Sequence, residues 1–265
     1  MFLKFFFGKL YIIFAQRFSF FVINKKIIKK INGVSYELDL TQAIDSSLYF
    51  FGYFEKDTHK ALNKLVTKNM TVFDIGANIG CHTFNLAKKA TNGKVYCFEP
   101  MPYANKKLKK NHKLNNFKNI IIEEIGLSNK NEKKILTFKS NWPLNKKFRK
   151  NATNNNEIEF LKLDEYVNQK KINNIDLIKI DIDGYEFKFF KGAQKSLTKF
   201  KPQIIMEIGD MVERFDDNVF EMTAFLKSIG YKFYKESDFS SIDIDKTLKN
   251  IPPNKSINVL LKPNE

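Results

Sequence analysis

The chain has 265 residues, 43% of them hydrophobic, enough for one sizeable core that buries roughly 70–75% of the unfolded surface, and this excludes long disorder. Its 45 basic and 29 acidic residues leave a net charge of +16, which brings nucleic acid, an anionic membrane surface and acidic substrates into consideration. Only three of the cations are Arg (Arg17, Arg149, Arg214) and the rest are Lys, whereas phosphate and base recognition favours the bidentate arginine fork, so the Lys, Asn, Ile and Phe content reads as the drift of an AT-rich genome and nucleic acid is disfavoured.

Residues 1–23 (MFLKFFFGKLYIIFAQRFSFFVI) are rich in Phe and Ile, but Lys4, Lys9 and Arg17 interrupt them, and no run reaches the ~20 apolar residues of a membrane span. No small-residue cleavage site follows to mark a signal peptide. The segment reads as a helix with a broad apolar face, followed by Lys25, Lys26, Lys29 and Lys30. Such a helix suits packing on the rest of the protein, a homo-oligomer contact, or peripheral contact with an anionic bilayer through residues 1–30. No Gly/Ser-rich linker or internal repeat divides the chain beyond residue 31, and we divide it into a helical, amphipathic segment over 1–48 and one folded domain over 49–265.

Within that domain the short apolar runs Val72–Asp74, Lys94–Phe98, Asn119–Glu123, Ile175–Ile180 and Gln203–Glu207 predict buried parallel strands. Helical patterns over 80–90, 102–114, 185–198 and 216–229 lie between most of them. This alternation implies right-handed crossovers and an α/β, doubly wound, mostly parallel sheet with helices on both faces. Two last runs, Tyr231–Tyr234 and Ile257–Leu261, have no convincing helix between them and predict an antiparallel C-terminal strand. Residues 129–157, rich in Lys and Asn and holding the single Trp142, read as an insertion or a mobile loop over the site.

Cys81, Cys97 and three His lack the paired spacings of a zinc site, and no disulfide framework is signalled, so a reducing cytoplasm is the expected setting. The sequons Asn151-Ala-Thr153 and Asn254-Lys-Ser256 carry no weight in an Asn-rich chain without secretory context.

Ligands of such a sheet bind outside the carboxyl ends of its strands, and there the sequence is acidic: Asp74, Glu99, Asp181, Asp183 and Glu207. The segment Asp74-Ile-Gly76-Ala77-Asn78-Ile-Gly80 runs from strand into helix with glycines that permit a tight turn and close backbone approach to a ligand. A dinucleotide loop would offer a helix N-terminus to a pyrophosphate, but here an acidic residue opens the loop, which suits a cationic amino group. Glu99, followed by Pro100, ends the next strand, where a carboxylate accepts bonds from both ribose hydroxyls at roughly 1.5–3 kcal/mol each. An amino acid joined to a ribose is the outline of S-adenosylmethionine.

The blocks V-F-D-I-G-A-N-I-G (72–80), C-F-E-P (97–100), L-I-K-I-D-I-D-G-Y-E (177–186) and P-Q-I-I-M-E-I (202–208) resemble the FkbM family of methyltransferases over roughly residues 50–210. The first two blocks recur in many class I methyltransferases, whereas the third and fourth are more specific to this family. The resemblance implies a Rossmann-like, S-adenosylmethionine-dependent enzyme that methylates a hydroxyl on a sugar, a glycan or a natural product. By position, Asp74, Gly76, Ala77, Asn78 and Gly80 would form the cofactor loop, Glu99 and Pro100 the ribose site, and Lys179, Asp181, Gly184 and Glu186 the reacting end. One departure is Asp183, where the family usually has Glu. Gly52-Tyr-Phe-Glu55 resembles the aromatic-Glu element upstream of the cofactor loop, which would bring Glu55 to the methionine amino group. Ser128, after the third strand, would hydrogen-bond the adenine.

An alcohol acceptor needs a base. Asp181 is the first candidate, because it follows the central fourth strand and burial would raise its pKa. Asp183 is second and His82 third, although a lone His in a first helical turn is more often a surface residue. Asp181 and Asp183 also admit a reading as Mg2+ ligands if the strand stays extended, but two carboxylates are a thin ligand set and no metal is assigned. N-methylation of an amide or amine, and a basic nucleic-acid module built on Lys106–Lys113, are the alternatives. That cluster reads as the solvated face of a helix, and no Asn/Asp-Pro-Pro-Tyr block follows the fourth strand. A lipid-linked glycan at the inner face of a bacterial membrane would suit the basic, Phe-rich N-terminus.

Overall fold

The computed structural model describes residues 2–136, 143–145, 147, 156–209, 217–253 and 255–264; Trp142 and the first sequon lie outside them. Helix α1 (Phe2–Arg17) leads through a short 3-10 turn into strands β1 (Lys26–Ile31) and β2 (Val34–Asp39). These two pair as an antiparallel hairpin whose turn, Asn32-Gly33, has both residues left-handed at φ +50° and +83°, the geometry that matches strand twist in a two-residue hairpin. Lys26, Lys29 and Lys30 therefore stand on a strand, not on the helical segment expected over 1–48. The boundary drawn after residue 48 falls inside α2 (Ala43–Phe51), and Ile31, Val34, Tyr36 and Leu38 share a core cluster with Phe84 and Val95.

There follow α3 (Lys56–Leu65), β3 (Thr71–Ile75), α4 (Cys81–Lys89), β4 (Lys94–Phe98), α5 (Pro102–Lys113) and β5 (Ile120–Glu123). The stretch 129–157 expected as an insertion follows β6 (Gly126–Leu127), holds β7 (Glu132–Leu136) and runs into β8 (Asn156–Leu161). These form a separate three-stranded sheet in the order β6-β8-β7; the middle of the stretch lies outside the described residues. The chain continues through α6 (Leu163–Gln169), β9 (Leu177–Ile180), α7 (Glu186–Gly192), α8 (Gln194–Phe200), β10 (Gln203–Gly209), α9 (Val219–Ser228), β11 (Tyr231–Lys235), α10 (Ile244–Lys249) and β12 (Ser256–Pro263).

Two helical expectations are corrected. The single helix expected over 185–198 is two, because Gly192 passes so close to the Ser128 carbonyl that a Cβ there would lie 2.0 Å from its oxygen, and the axis breaks at Ala193. The stretch before β12 does contain a helix, α10, which Asp243 caps by accepting from the Lys246 N–H at 3.2 Å; six residues are too few for a periodic signal.

The main sheet has seven strands in the order β11-β12-β10-β9-β3-β4-β5. Strand β12 runs antiparallel to both of its neighbours, and the pairings among β10, β9, β3, β4 and β5 are parallel. This is the Rossmann-like class I methyltransferase architecture expected from the motifs. Alternation along the strands feeds two cores: Phe73, Ile75 and Ile178 face α6 and α7, while Val72, Val95 and Leu177 face α4 and the β1–β2 hairpin. Chain order reverses between β3 and β9, so a crevice opens at their carboxyl ends. No helix among the described residues is long and apolar enough to cross a membrane.

Candidate active site

The crevice is a cleft of about 420 Å³. Its floor begins where β3 ends and Gly76 turns at φ +82°. A Cβ on Gly76 would lie 1.8 Å from the Asp181 carbonyl oxygen, so only glycine lets the two loops approach. The N–H groups of Gly76 and Ala77 donate to the Phe98 carbonyl at 3.0 and 3.1 Å, and Asn78 adopts φ +50°. Glu99 closes the arrangement from β4: its Oε2 accepts from the Asn78 N–H and its Oε1 from the Met101 N–H, both at 2.8 Å. Burial pushes the Glu99 carboxyl up to about 7, against the pull of these two bonds.

A second cluster gathers at the ends of β9 and β10. Lys179 Nζ lies 3.4 Å from Asp181 Oδ2. Burial pulls the Lys179 ammonium down, but the Asp181, Asp74 and Glu55 carboxylates outweigh it and hold it above the ordinary lysine value, so it is a fixed cation. Glu207, from β10, lines the same cleft as Asp181 and is pushed up to about 7 by burial and by the Asp181 carboxylate; Ser256 on β12 donates to its Oε1. Opposite, Glu55 at φ +48° meets His82 Nε2 at 3.1 Å. Burial raises the Glu55 carboxyl, but the His82 bond and the Lys179 charge leave it below the ordinary value.

Most of the expected site residues converge here. Glu55, Gly76, Ala77, Asn78, Glu99, Pro100, Lys179, Asp181 and Asp183 all line the cleft. Asp74 does not: it lies fully buried beneath the loop, where its Oδ2 accepts from Thr83 Oγ1 at 2.6 Å and its Oδ1 has no hydrogen-bond partner among the described residues. Gly80 is likewise behind the wall, its missing side chain leaving room for the Phe84 ring, 2.4 Å from where a Cβ would sit. Ser128 is turned into the protein, next to Asn129, and the cleft is lined instead by Ile125, Gly126 and Leu127 just before it. Glu186 sits under the turn after β9 and accepts from the Ile182 N–H at 3.0 Å; burial pushes it up to about 7. Asp183 is left-handed at φ +55° and β9 ends at Ile180, so Asp181 and Asp183 do not alternate along a strand.

Two features, the Glu207 pairing and Asp45, have no counterpart in the sequence reading, and His82, the third base candidate, differs from it in burial. Glu207 was noted as an acidic strand end without a role, and its partner Asp181 is 26 positions away. His82 is buried, not on the surface, because α4 turns its first residues into the cleft. Asp45, from α2, also lines the cleft and is ion-paired with the buried Lys107, one of the lysines read as a solvated helix face.

The residues fit S-adenosylmethionine. The loop at 76–79 is open to backbone approach, the Glu99 carboxylate retains lone pairs beyond its two N–H bonds, and Asp74 places a buried negative charge under the loop. The methyltransferase FkbM domain matches residues 74–233, which is more than half of the chain. The chain belongs to the FkbM methyltransferase family. Enzymes of this family use S-adenosylmethionine. Methyltransferase 1 of Beauveria bassiana (strain ARSEF 2860) is 20% identical over 160 residues, and the match spans 52% of this chain and 64% of that protein. Among solved structures, the methyltransferase FkbM from Methylobacillus flagellatus KT is 16% identical with a TM-score of 0.48, over 74% of this chain and 44% of that one. M. jannaschii TYW2, solved in complex with AdoMet, is also 16% identical, with a TM-score of 0.49 over 91% of this chain and 86% of that one. At these scores the two structures carry nothing about the acceptor. The FkbM match begins at the carboxyl end of β3 and includes β4, β9 and β10, the strands whose ends build the cleft.

Proposed function

We propose that this FkbM protein transfers a methyl group from S-adenosylmethionine to a hydroxyl of a sugar, a glycan or a small natural product. The observation that carries the reading is the Asp181–Glu207 pair. Two carboxyl groups facing one partly buried cleft cannot both ionise at low cost, and Glu207 is the one pushed up, by burial and by the Asp181 charge. A carboxyl that titrates near 7 is matched to taking a proton at physiological pH.

When bound, the cofactor supplies an electrophilic methyl on a sulfonium sulfur. The loop at Gly76, Ala77 and Asn78, with Glu99 and Pro100, would hold it, and the Asp74 carboxylate is buried under that loop. The pair Asp181–Glu207 would take the proton of the acceptor hydroxyl, and Asp183 lines the same cleft. Lys179 keeps its proton and steadies the surrounding carboxylates. Holding acceptor and methyl in line contributes up to ~7–11 kcal/mol of barrier reduction. An amide or amine acceptor would use the same pair.

Nucleic acid is the weaker acceptor class, because Lys107, Lys109 and Lys110 of the α5 cluster are each engaged by a carboxylate, Asp45, Glu124 and Glu37. Two free thiols, Cys81 and Cys97, suit a cytoplasmic setting. The test is methyl transfer from labelled S-adenosylmethionine to panels of glycans, polyketide-like alcohols, amines and RNA. Label in the alcohol panel that Glu207→Gln removes supports the reading; label in RNA or amines alone overturns it.

A further inference from the structure

We infer that the exposed aromatic face of α1 and the turn after it is a docking surface for an anionic lipid bilayer. One side of α1 is fixed to the protein. Ala15 and Val22 are buried in a cluster with Leu144, against which Ala43 of α2 also packs, and the Tyr11 ring lies 4.8 Å from Phe50. Tyr11 Oη donates to the Leu40 carbonyl at 3.2 Å and accepts from the Ile23 N–H at 3.1 Å, tying the turn to the helix. This side leaves no freedom for the helix to bury its other face against its own domain.

The other side is apolar and open. Phe14, Phe18, Phe20 and Phe21 form one connected ring cluster, with centroids 5.3 Å apart for Phe14–Phe21, 5.6 Å for Phe18–Phe20 and 4.5 Å for Phe20–Phe21. Phe20 is 78% exposed and Ile13 60%. A contiguous aromatic patch of this kind on a folded domain marks an interaction surface.

Charge selects the occupant. Lys9, Arg17 and Lys25 are exposed within the same segment that carries the rings, and no acidic residue precedes Glu37 in the chain. Aromatic rings that enter the interface while basic side chains meet acidic headgroups is the chemistry of peripheral attachment to an anionic bilayer. A second copy fits poorly, because a twofold contact sets the same patch against itself and would bring its exposed Lys9, Arg17 and Lys25 against their own copies. The helix has 16 residues with a basic last turn, so it lies on the surface and does not cross. Ala43, which packs against the α1 cluster, also lines the cleft, so a bilayer held on α1 stands one helix away from the cleft.

The experiment is flotation of the full chain with phosphatidylcholine vesicles and with vesicles in which phosphatidylglycerol replaces a third of that lipid, over a salt series. We expect flotation with the anionic vesicles at low salt, little with the neutral ones, and release as salt rises. The double variant Lys25→Glu/Lys26→Glu is expected to weaken partitioning more than tenfold, on the order of fivefold per charge lost. Phe20→Ser/Phe21→Ser is expected to weaken it by about tenfold or more. Unchanged S-adenosylhomocysteine binding by both variants shows that they are folded, and the vesicle readout does not depend on turnover. The proposal is overturned by absence of wild-type flotation, by equal flotation with neutral vesicles, by wild-type flotation of both variants, or by a solution dimer that Phe20→Ser dissolves.

Discussion

The Glu99 carboxylate, at the end of β4, accepts the N–H of Asn78 at 2.8 Å, so the ribose-side carboxylate and the turn that follows β3 are one hydrogen-bonded unit. Removing the carboxylate therefore removes both a ligand contact and a support of the loop. Glu99→Ala is expected to weaken S-adenosylhomocysteine binding by at least about a hundredfold in isothermal titration, since two charged bonds are worth roughly 1.5–3 kcal/mol each.

The same carboxyl makes binding depend on pH. Burial raises its pKa to about 7 in the free protein, and ribose hydroxyls donate to the ionised form, so the bound pKa is lower. Affinity for S-adenosylhomocysteine is expected to rise with pH up to about 7 and then level, with proton release seen as a buffer-dependent heat. Stability of the free protein runs the other way. Glu99, Glu186 and Glu207 all have folded pKa values raised to about 7, so their protonated forms favour the fold, and that contribution is lost as pH rises from the unfolded value of 4.5 to about 7. The melting temperature without ligand should fall between about pH 5 and pH 8; a rise across that window contradicts the raised values.

Asp181→Asn and Glu207→Gln should separate chemistry from binding. Each is expected to leave S-adenosylhomocysteine affinity within a few fold of the wild type and to lower kcat by about 10²–10⁴. Loss of binding in step with kcat would mean that the pair holds the fold and not the proton.

Gly76→Ala is expected to collapse the cofactor loop. The new Cβ would meet the Asp181 carbonyl at 1.8 Å in a backbone at φ +82°, strain that costs about 1–3 kcal/mol or more. Melting should fall by several degrees and S-adenosylhomocysteine binding should be lost even at temperatures where the variant is folded. Near-normal binding by Gly76→Ala would show that the loops at Gly76 and Asp181 need not touch.

The Asp45–Lys107 pair is buried on both sides. Burial pushes the Asp45 carboxyl up, and the Lys107 ammonium pulls it back part of the way. Lys107→Met leaves that charge alone in the interior, at a cost of roughly 3–5 kcal/mol, which is about a 10 °C fall in Tm. Asp45→Asn/Lys107→Met is expected to recover most of the loss, because the amide oxygen of the substituted side chain can still accept the Asp39 N–H that the Asp45 carboxylate accepts. A double variant no better than the single would assign the effect to lost packing of the lysine stem.

Local signals in the sequence determined the central sheet and the cofactor loop. Unbroken apolar runs such as Lys94–Phe98 mark strands buried on both faces, and Gly76 and Glu99 follow their strands directly, so spacing along the chain is already spacing in the site. The Asn32-Gly33 turn is a local hairpin signal as well, and it lies within the segment over 1–48 that was expected to be helical. Tertiary structure alone decided the rest. Asp181 and Glu207 meet because β9 and β10 are neighbours, Glu55 reaches His82 because α3 packs beside α4, and Lys107 is buried because Asp45 arrives from a helix 62 residues earlier. Ser128 turned away from the cleft for the same kind of reason: its backbone N–H pairs with Leu161 at 2.9 Å in a sheet whose strands are far apart in sequence. A carboxyl's neighbours set its charge, and those neighbours come from separate elements, so the chemistry of the cleft is a property of the packing.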